Sequence, residues 1–238
     1  AVITTATDTL DLPGLDVLAQ KQRLRIGDFK ALREVSAALV RGEKIQLYDP
    51  GNWLLLSDDH KQYFEKVRDS SDWLFSRAGV WVDWHKQGLG SNQLLLHPPA
   101  LFAGIGCNRG TSGREILELI QKTFAEHGLV LDSLAGIASI EQKSDEHGLI
   151  QAAEKLGLEL HFYPGSELKA MNMPNPSEVV HRHMGVYSVC EAAACKLAGS
   201  EHLIVSKVKS VNATLAIALV RAKNLAKETL GLALDSGY

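Results

Sequence analysis

The sequence lacks several features that would place the protein in a special class. Three cysteines among 238 residues are few and odd in number, which is typical of free thiols in a reducing compartment. No apolar run reaches the roughly 20 residues of a membrane-spanning helix, and no basic segment followed by an apolar one marks a signal peptide. A net charge of −3 provides no overall positive field for nucleic acid. We therefore expect a cytoplasmic protein with neither a nucleic-acid nor a membrane partner.

The part of the chain from residue 101 onward alternates between predicted strands and helices. It begins with the apolar run "LFAGIGC" and the amphipathic stretch "TSGREILELIQKTFAEHG", and the pattern repeats through "SLAGIASI", "SDEHGLIQAAEKLG", "LELHFYP" and "SVCEAAACKLAG". This spacing predicts an α/β domain over 101–238, with a mostly parallel sheet and flanking helices. The runs "HLIVSKVK" and "NATLAIALV" predict an antiparallel hairpin at one edge. A helix is predicted over "NPSEVVHRHMG", and another in the tail from Arg221.

Two further segments precede this domain. Residues 1–48 predict a partial α/β segment, with a strand over 2–6, helices in "LPGLDVLAQKQ" and "FKALREVSAALVRGE", and a strand in "KIQLYD". Residues 49–100 hold all four tryptophans and predict a small α+β middle region. Its strands are predicted in "WLLLSD" and "QLLLHP", and its helix in "HKQYFEKVRDSSDWLFSRA". Because the chain opens directly on a strand-like run, we expect an upstream part that is missing here.

The stretch "GIGCNRGTS" lies between the first strand and first helix of the 101–238 domain. Ser112 and Glu115 have the spacing of a capping box, and the N–H groups of a helix start attract anions. Arg109 adds a permanent charge that can bind a carboxylate or phosphate. The stretch is neither a P-loop, since no lysine precedes Thr111, nor a dinucleotide fingerprint, since Arg109 replaces the third glycine. A tight, well-capped turn is the alternative interpretation.

Two other helix starts have similar capping residues, at 175–178 and 188–191. In an open α/β sheet such helix starts gather at the carboxyl ends of the strands, where ligands bind. Two lysines of "SKVKS" share one strand face and could bind carboxylates, although surface solubility explains them equally well. The predicted substrate-binding residues are Gly104, Gly106, Arg109, Gly110, Thr111, Ser112, Asn175, Ser177, Ser188, Lys207 and Lys209.

Three residues are candidates for catalysis. Glu141 directly follows a buried strand, in a run that also contains Lys143, Asp145 and Glu146, and a carboxylate there could act as a general base. Glu191 is the second candidate, although helix capping competes with that role. Cys107 is the third, because a thiolate near a helix start is stabilised. No set of residues has the spacing of a metal site, and His181 and His183 point in different directions on a helix.

Several ordered motifs resemble one known family. Four segments resemble the C-terminal domain of the cobalamin-biosynthesis protein CbiG: "ALFAGIGCNRGTSGREIL", "ASIEQKSDEHGLIQAAEKLGLELHFY", "NPSEVVHRHMGVYSVCEAAA" and "KVKSVNATLAIAL". The related protein CobE consists of this domain alone. Residues 1–48 resemble the second part of the CbiG N-terminal domain, and residues 49–100 its middle region. The glycine-rich "GGAN"-type segment with which the family's N-terminal domain starts is absent from this sequence.

The resemblance implies a cobalt-precorrin-5A hydrolase, which opens the δ-lactone of the macrocycle and releases acetaldehyde. Such a reaction needs an activated water and stabilised oxyanion charge. The substrate brings its own cobalt, so no cofactor or protein-bound metal is expected. A non-catalytic module that binds or carries a corrinoid intermediate is the alternative, and a nucleotide-binding domain is a weaker one. The sequence leaves open whether the chain forms a homo-oligomer or contacts other enzymes of the corrin pathway.

Overall fold

Two separate sheets organise the computed structural model, which describes residues 12–171 and 188–220. The chain divides into two units between Pro99 and Ala100, and each unit has its own sheet. Within the described residues, no helix is both long and apolar enough to cross a membrane.

The first unit is built on a sheet with the strand order β1-β5-β4-β2-β3. Strands β2 to β5 run parallel, and β1 pairs antiparallel with β5. Residues on both sides of position 48 therefore contribute strands to one sheet. In chain order the elements are α1 (Leu15–Lys21), β1 (Arg25–Ile26), α2 (Phe29–Val40), β2 (Ile45–Tyr48), α3 (Asp58–Lys61), β3 (Phe64–Val67), β4 (Gly79–Val82) and β5 (Gln93–His97).

Helix α2 forms where its capping residue and its apolar spacing predict a helix. The Asp28 carboxylate caps the helix by accepting the Lys30 N–H at 2.7 Å. Its apolar residues recur at helical spacing, and Val35 and Leu39 are fully buried against the sheet. The predicted helices at α1 and α2 and the predicted strands at β2 and β5 are all confirmed.

Two predictions for the middle segment are wrong. The expected strand over 53–58 is irregular, because side chains bind its backbone: the Asp49 carboxylate accepts the N–H groups of Trp53 and Leu54, and the Gln22 amide binds both backbone groups of Leu55. The expected helix over 60–78 contains strand β3 and a single 3-10 turn at Ser70–Asp72. Strands β1 and β4 were not predicted.

Buried glutamines explain the irregular stretch that follows β3. The Gln46 amide exchanges two hydrogen bonds with the backbone of Leu74, both at 3.0 Å, and Gln93 donates to the carbonyls of Leu74 and Arg77. Both glutamines are about as buried as the apolar core. Because buried amides must find partners, they hold residues 74–77 in a loop against the sheet and override the helical pattern.

The second unit has the strand order β8-β7-β6-β10-β9. Strands β6, β7 and β8 are parallel, while β10 is antiparallel to both β6 and β9. Four of the five described strands therefore point the same way, and the predicted hairpin at one edge is confirmed. The elements are β6 (Leu101–Cys107), α4 (Gly113–Glu126), β7 (Leu134–Ile140), α5 (His147–Leu156), β8 (Leu160–Tyr163), α6 (Gly165–Lys169), α7 (Val189–Ala198), β9 (Leu203–Lys209) and β10 (Ala213–Leu219).

Small residues allow α7 to lie close to the sheet. A Cβ atom at Gly104 would overlap the Cys190 carbonyl and would lie 2.5 Å from the Ala194 nitrogen. Ala216 and Ala218 of β10 face the same helix. Their neighbours along the strand face the other side of the sheet, where α4 contacts β10 and α5.

The strands and helices predicted between residues 101 and 171 and from 188 to 220 are confirmed in kind and order. The predicted strand over 2–6, the predicted helix in "NPSEVVHRHMG" and the predicted tail helix lie outside the described residues.

Candidate functional site

The carboxyl edge of the second sheet gathers most of the predicted site residues. Strands β6 and β7 end there at Cys107 and Ile140, and each is followed by a loop that leads into a helix. The loop over 108–112 contacts the loop over 141–146, and the start of α7 contacts β9 near Lys207. This is the edge at which open α/β sheets bind ligands.

Arg109 is held by the loop that follows β7. Its guanidinium group binds the Asp145 carboxylate at 2.5 Å, the Gln142 carbonyl at 3.1 Å and the Glu146 carboxylate at 3.2 Å. Each of its three nitrogens therefore already has a partner within the protein. An incoming anion would have to displace Asp145 or share the guanidinium group with it, so Arg109 is less open to substrate than its sequence position suggests.

Glu146 is the central acid of this cluster. One oxygen of its carboxylate accepts the Gly110 N–H at 3.0 Å, and the other lies 3.4 Å from the Lys143 ammonium. Only 5% of its side chain is exposed. The Gly110 N–H bond is the main reason that the pKa of Glu146 lies below its ordinary value, and the Lys143 and Arg109 charges act in the same direction. Glu146 is thus an ionised carboxylate that joins two loops, and a weak base.

The "GIGCNRGTS" loop is tied on its other side to the turn between β9 and β10. The Asn108 N–H donates to the Asn212 carbonyl at 2.8 Å, and the Thr111 hydroxyl donates to the Asn108 carbonyl at 2.8 Å. Thr111 is buried, so its hydroxyl serves the loop itself. These bonds show a braced turn, and they support the structural interpretation of Gly110 and Thr111 more than a phosphate cradle.

The capping box predicted at the start of α4 is only half formed. The Ser112 hydroxyl accepts the Glu115 N–H at 3.2 Å, as expected. The Glu115 carboxylate, however, accepts from the Ser210 hydroxyl at 2.6 Å and from the Asn212 N–H at 2.8 Å. No local pattern could indicate this longer-range pairing, because the β9–β10 turn lies almost a hundred residues away.

Helix α5 covers part of the α4 start. A Cβ atom at Gly148 would overlap the Thr111 carbonyl and would lie 2.8 Å from the Gly113 nitrogen. The two helix starts can lie this close because residue 148 is glycine. The first N–H of α4 is therefore packed against protein, which reduces the space for an anion at Ser112 and Gly113.

Glu191 has the capping role that competed with catalysis. Its carboxylate accepts the Ser188 N–H at 2.9 Å, the Ser188 hydroxyl at 2.8 Å and the Lys207 N–H at 3.0 Å. Burial alone would raise the pKa of Glu191, but the N–H groups of Lys207 and Ser188 outweigh burial and lower it. A carboxylate with three donors and a lowered pKa is a structural anchor and a weak general base.

Cys107 lies at the end of β6 and is partly buried. Burial raises the pKa of its thiol above the ordinary value, although the nearby Lys143 ammonium acts in the opposite direction. The surroundings therefore favour the neutral thiol, contrary to the stabilised thiolate that the helix start led us to expect.

Glu141 is the most open of the three catalytic candidates. It begins the 3-10 turn Glu141–Lys143 and is exposed. Within the described residues its carboxylate makes no hydrogen bond or ion pair, so nothing there orients it. Glu141 is accessible to water, but the described part of the chain provides no second group of the kind that normally orients a general base.

The remaining predicted binding residues differ in their surroundings. Gly104 is enclosed by α7, while a Cβ atom at Gly106 would meet only the Thr214 hydroxyl at 2.8 Å. Lys207 and Lys209 are exposed on β9, and neither ammonium group forms an ion pair within 12–171 or 188–220. Asn175 and Ser177 lie outside the described residues, as do His181 and His183. Among the described residues, no group of three or more His, Cys, Asp or Glu side chains could hold a metal ion.

Comparison with known proteins places both units in one family. A model described as "Cobalamin biosynthesis central region" matches residues 13–98, and one described as "Cobalamin synthesis G C-terminus" matches residues 101–218. The chain is 40% identical over 129 residues to a cobalt-precorrin-5A hydrolase of Priestia megaterium, a match that covers 54% of this chain and 34% of the relative. The matched part is thus about a third of that relative's length.

The match to CobE covers most of the length of that relative. The chain is 35% identical over 121 residues to Protein CobE of Sinorhizobium sp, covering 50% of this chain and 79% of the relative. A crystal structure of CobE, described as a protein from the cobalamin (vitamin B12) biosynthetic pathway, shares 37% identity over 52% of this chain and 92% of that one, with a TM-score of 0.43. On the two family-model matches and the sequence match to CobE, the chain belongs to the CbiG family of cobalamin-biosynthesis proteins, and its second unit is the domain that the family shares with CobE.

Proposed function

We propose that this protein acts as a cobalt-precorrin-5A hydrolase, which opens the δ-lactone of its tetrapyrrole substrate so that acetaldehyde leaves. The observation that carries the proposal is the 40% identity over 129 residues to a relative of that name, combined with family matches in both units. The low cysteine content favours the cytoplasm as the place of the reaction.

The carboxyl edge of the second sheet supports the binding of such a substrate. Corrin precursors carry several acetate and propionate arms, so their recognition calls for cations that are free to pair with carboxylates. The exposed ammonium groups of Lys207 and Lys209 meet this requirement better than Arg109, whose nitrogens already have partners. We assign the two lysines to the substrate's carboxylate arms.

The cobalt belongs to the substrate in this proposal, and no resident metal is needed. Lactone opening requires a base that removes a proton from water and a donor that stabilises the oxyanion. Glu191 and Glu146 are unsuited to the first role, since hydrogen-bond donors occupy both carboxylates and lower their pKa values. The role that the sequence analysis gave to Glu141 stays a prediction.

A single-turnover experiment tests the proposal directly. Excess protein is mixed with cobalt-precorrin-5A, and acetaldehyde is trapped and counted while the corrinoid spectrum is recorded. We expect one acetaldehyde per corrinoid. Binding of the corrinoid with no acetaldehyde above the protein-free control would contradict hydrolysis and favour the carrier function. A failure of the corrinoid to bind would contradict both functions.

A further inference from the structure

An oriented imidazole lies at the carboxyl edge of the first sheet, in a segment for which the sequence analysis named no site. Strand β4 ends at Val82, and Asp83, Trp84 and His85 follow directly. The Nδ1 atom of His85 lies 3.1 Å from one carboxylate oxygen of Asp83. A histidine oriented by a carboxylate is the usual arrangement of a general base.

Asp83 is itself fixed by several donors. The oxygen that binds the imidazole also accepts the His85 N–H at 3.0 Å, and the other accepts the Gln87 amide at 2.8 Å and the Trp81 indole N–H at 3.3 Å. Only 15% of the Asp83 side chain is exposed. The carboxylate therefore has a fixed position, and it can hold the imidazole in one orientation.

The partner atom decides which nitrogen of His85 carries the proton. Because a carboxylate oxygen accepts, Nδ1 is the nitrogen that donates to Asp83, and in the neutral imidazole the lone pair then lies on Nε2. The His85 side chain is 40% exposed. The Trp84 ring packs on the imidazole, with ring centroids 3.5 Å apart, and limits its rotation. Together these contacts hold a partly exposed imidazole beside a flat aromatic surface.

The position of His85 at the edge of the first sheet also favours a ligand site. Strands β3 and β4 follow one another in the chain but lie on opposite sides of β2. The gap between the ends of β2 and β4 is thus a topological switch point, where open α/β sheets leave a crevice for a ligand. His85 follows β4 at this gap, and Tyr48 at the end of β2 packs against Trp81 with ring centroids 4.3 Å apart.

We propose that His85 is the general base for lactone opening and that Asp83 is its positioning residue; this inference rests on the proposed function. The Nε2 lone pair removes a proton from water as the water oxygen forms a bond to the lactone carbonyl carbon. When the ring C–O bond breaks, the alkoxide takes the same proton back from the imidazolium. One water is consumed, and the carboxylic acid and the free hydroxyl are formed without an oxidant or reductant.

The kinetic test uses His85→Gln, Asp83→Asn and a matched control, His161→Gln. His161 is equally exposed, at 41%, and also lies near a carboxylate, that of Glu159 at 3.5 Å. We expect His85→Gln to lower the single-turnover rate of lactone opening by about 100-fold or more while corrinoid binding persists. Asp83→Asn should lower the rate less, and the control should match the wild type. An unchanged rate in His85→Gln would overturn the proposal.

The position of the proton on the His85 imidazole can be measured even if the wild type releases no acetaldehyde. Long-range ¹H–¹⁵N spectra report which imidazole nitrogen bears the proton, and the His85→Gln variant assigns the signal. We expect a proton on Nδ1 of His85 in the wild type and its loss in Asp83→Asn. A proton on Nε2 in the wild type would refute the oriented base. Absence of acetaldehyde would count only against the proposed function.

Discussion

Gly104 and Cys190 are in direct backbone contact, so helix α7 lies on β6 with no side chain between them. A Cβ atom at residue 104 would overlap the Cys190 carbonyl and approach the Ala194 nitrogen to 2.5 Å. Since neither group is the end of a flexible side chain, the helix itself would have to move. The glycine that suggested a ligand-binding loop in the sequence therefore has a packing function.

Gly104→Ala should destabilise the second unit strongly. Overpacking of a tight core costs about 1–3 kcal/mol and more where backbone must move, so we expect the upper end of that range. Gly106→Ala is the matched control, because its added methyl group would meet only the Thr214 hydroxyl, which can rotate away. Urea denaturation followed by circular dichroism measures both variants. Equal losses in the two would contradict the packing argument.

Glu146→Gln should lower the melting temperature by several degrees and reduce the dependence of stability on pH. The pKa of Glu146 is lowered in the folded protein, chiefly by the Gly110 N–H. A carboxylate of this kind contributes stability above its unfolded pKa and loses it as pH falls through the lower, folded pKa. The wild type and the variant should therefore differ most near neutral pH and converge in acid.

Asp145→Asn is the comparison for that experiment. It removes the other carboxylate that binds Arg109, but 68% of the Asp145 side chain is exposed. Exposed ion pairs contribute little to stability, so this variant should melt close to the wild type. Thermal melts across a pH series provide the measurement. A constant difference between wild type and Glu146→Gln down to the lowest pH would refute an electrostatic origin.

The sequence was most informative where local pattern and tertiary structure agree. In the second unit, apolar strands alternate with capped amphipathic helices, and the predicted elements that lie within the described residues occur in the predicted order, with the short helix α6 as an unpredicted addition. In the middle segment, Gln46 and Gln93 bind the backbone of residues 74–77 from strands that are distant in sequence. No local pattern in "SSDWLFSRA" could reveal those partners, and the predicted helix was wrong for that reason.

The site was harder to predict than the fold, because it depends on pairs of loops. Glu141 and Glu146 both follow β7 and look equivalent in the sequence. Glu141 is nevertheless exposed, with no side-chain partner among the described residues, whereas Glu146 is buried beneath Arg109. The Arg109–Asp145 pair joins residues 36 positions apart. The Asp83–His85 pair is local, and the buried strand before "DWH" was the signal that could have revealed it.

The cysteines should react slowly with iodoacetamide at neutral pH. Burial raises the pKa of Cys107, so little thiolate is present, and it raises the pKa of the buried Cys195 to about 12. We expect Cys107 to be alkylated faster as pH rises, and Cys190 and Cys195 to react only after denaturation. Mass spectrometry of digested protein measures each site. Rapid modification of Cys107 at pH 7 would restore it as a candidate nucleophile.

Lys207 and Lys209 should contribute to substrate affinity through charge. Both ammonium groups are exposed near the end of β9. Replacing either lysine by glutamine should therefore weaken corrinoid binding by about two- to fivefold, as expected for the loss of an exposed ion pair. The loss should shrink at high salt, because salt screens exposed charges. Lys155→Gln is the control, since this exposed lysine lies in the last turn of α5, at the helix end away from the carboxyl edge. Visible-spectrum titrations at two salt concentrations measure the effect, and equal losses in the control would show that overall charge, and not the β9 lysines, attracts the substrate.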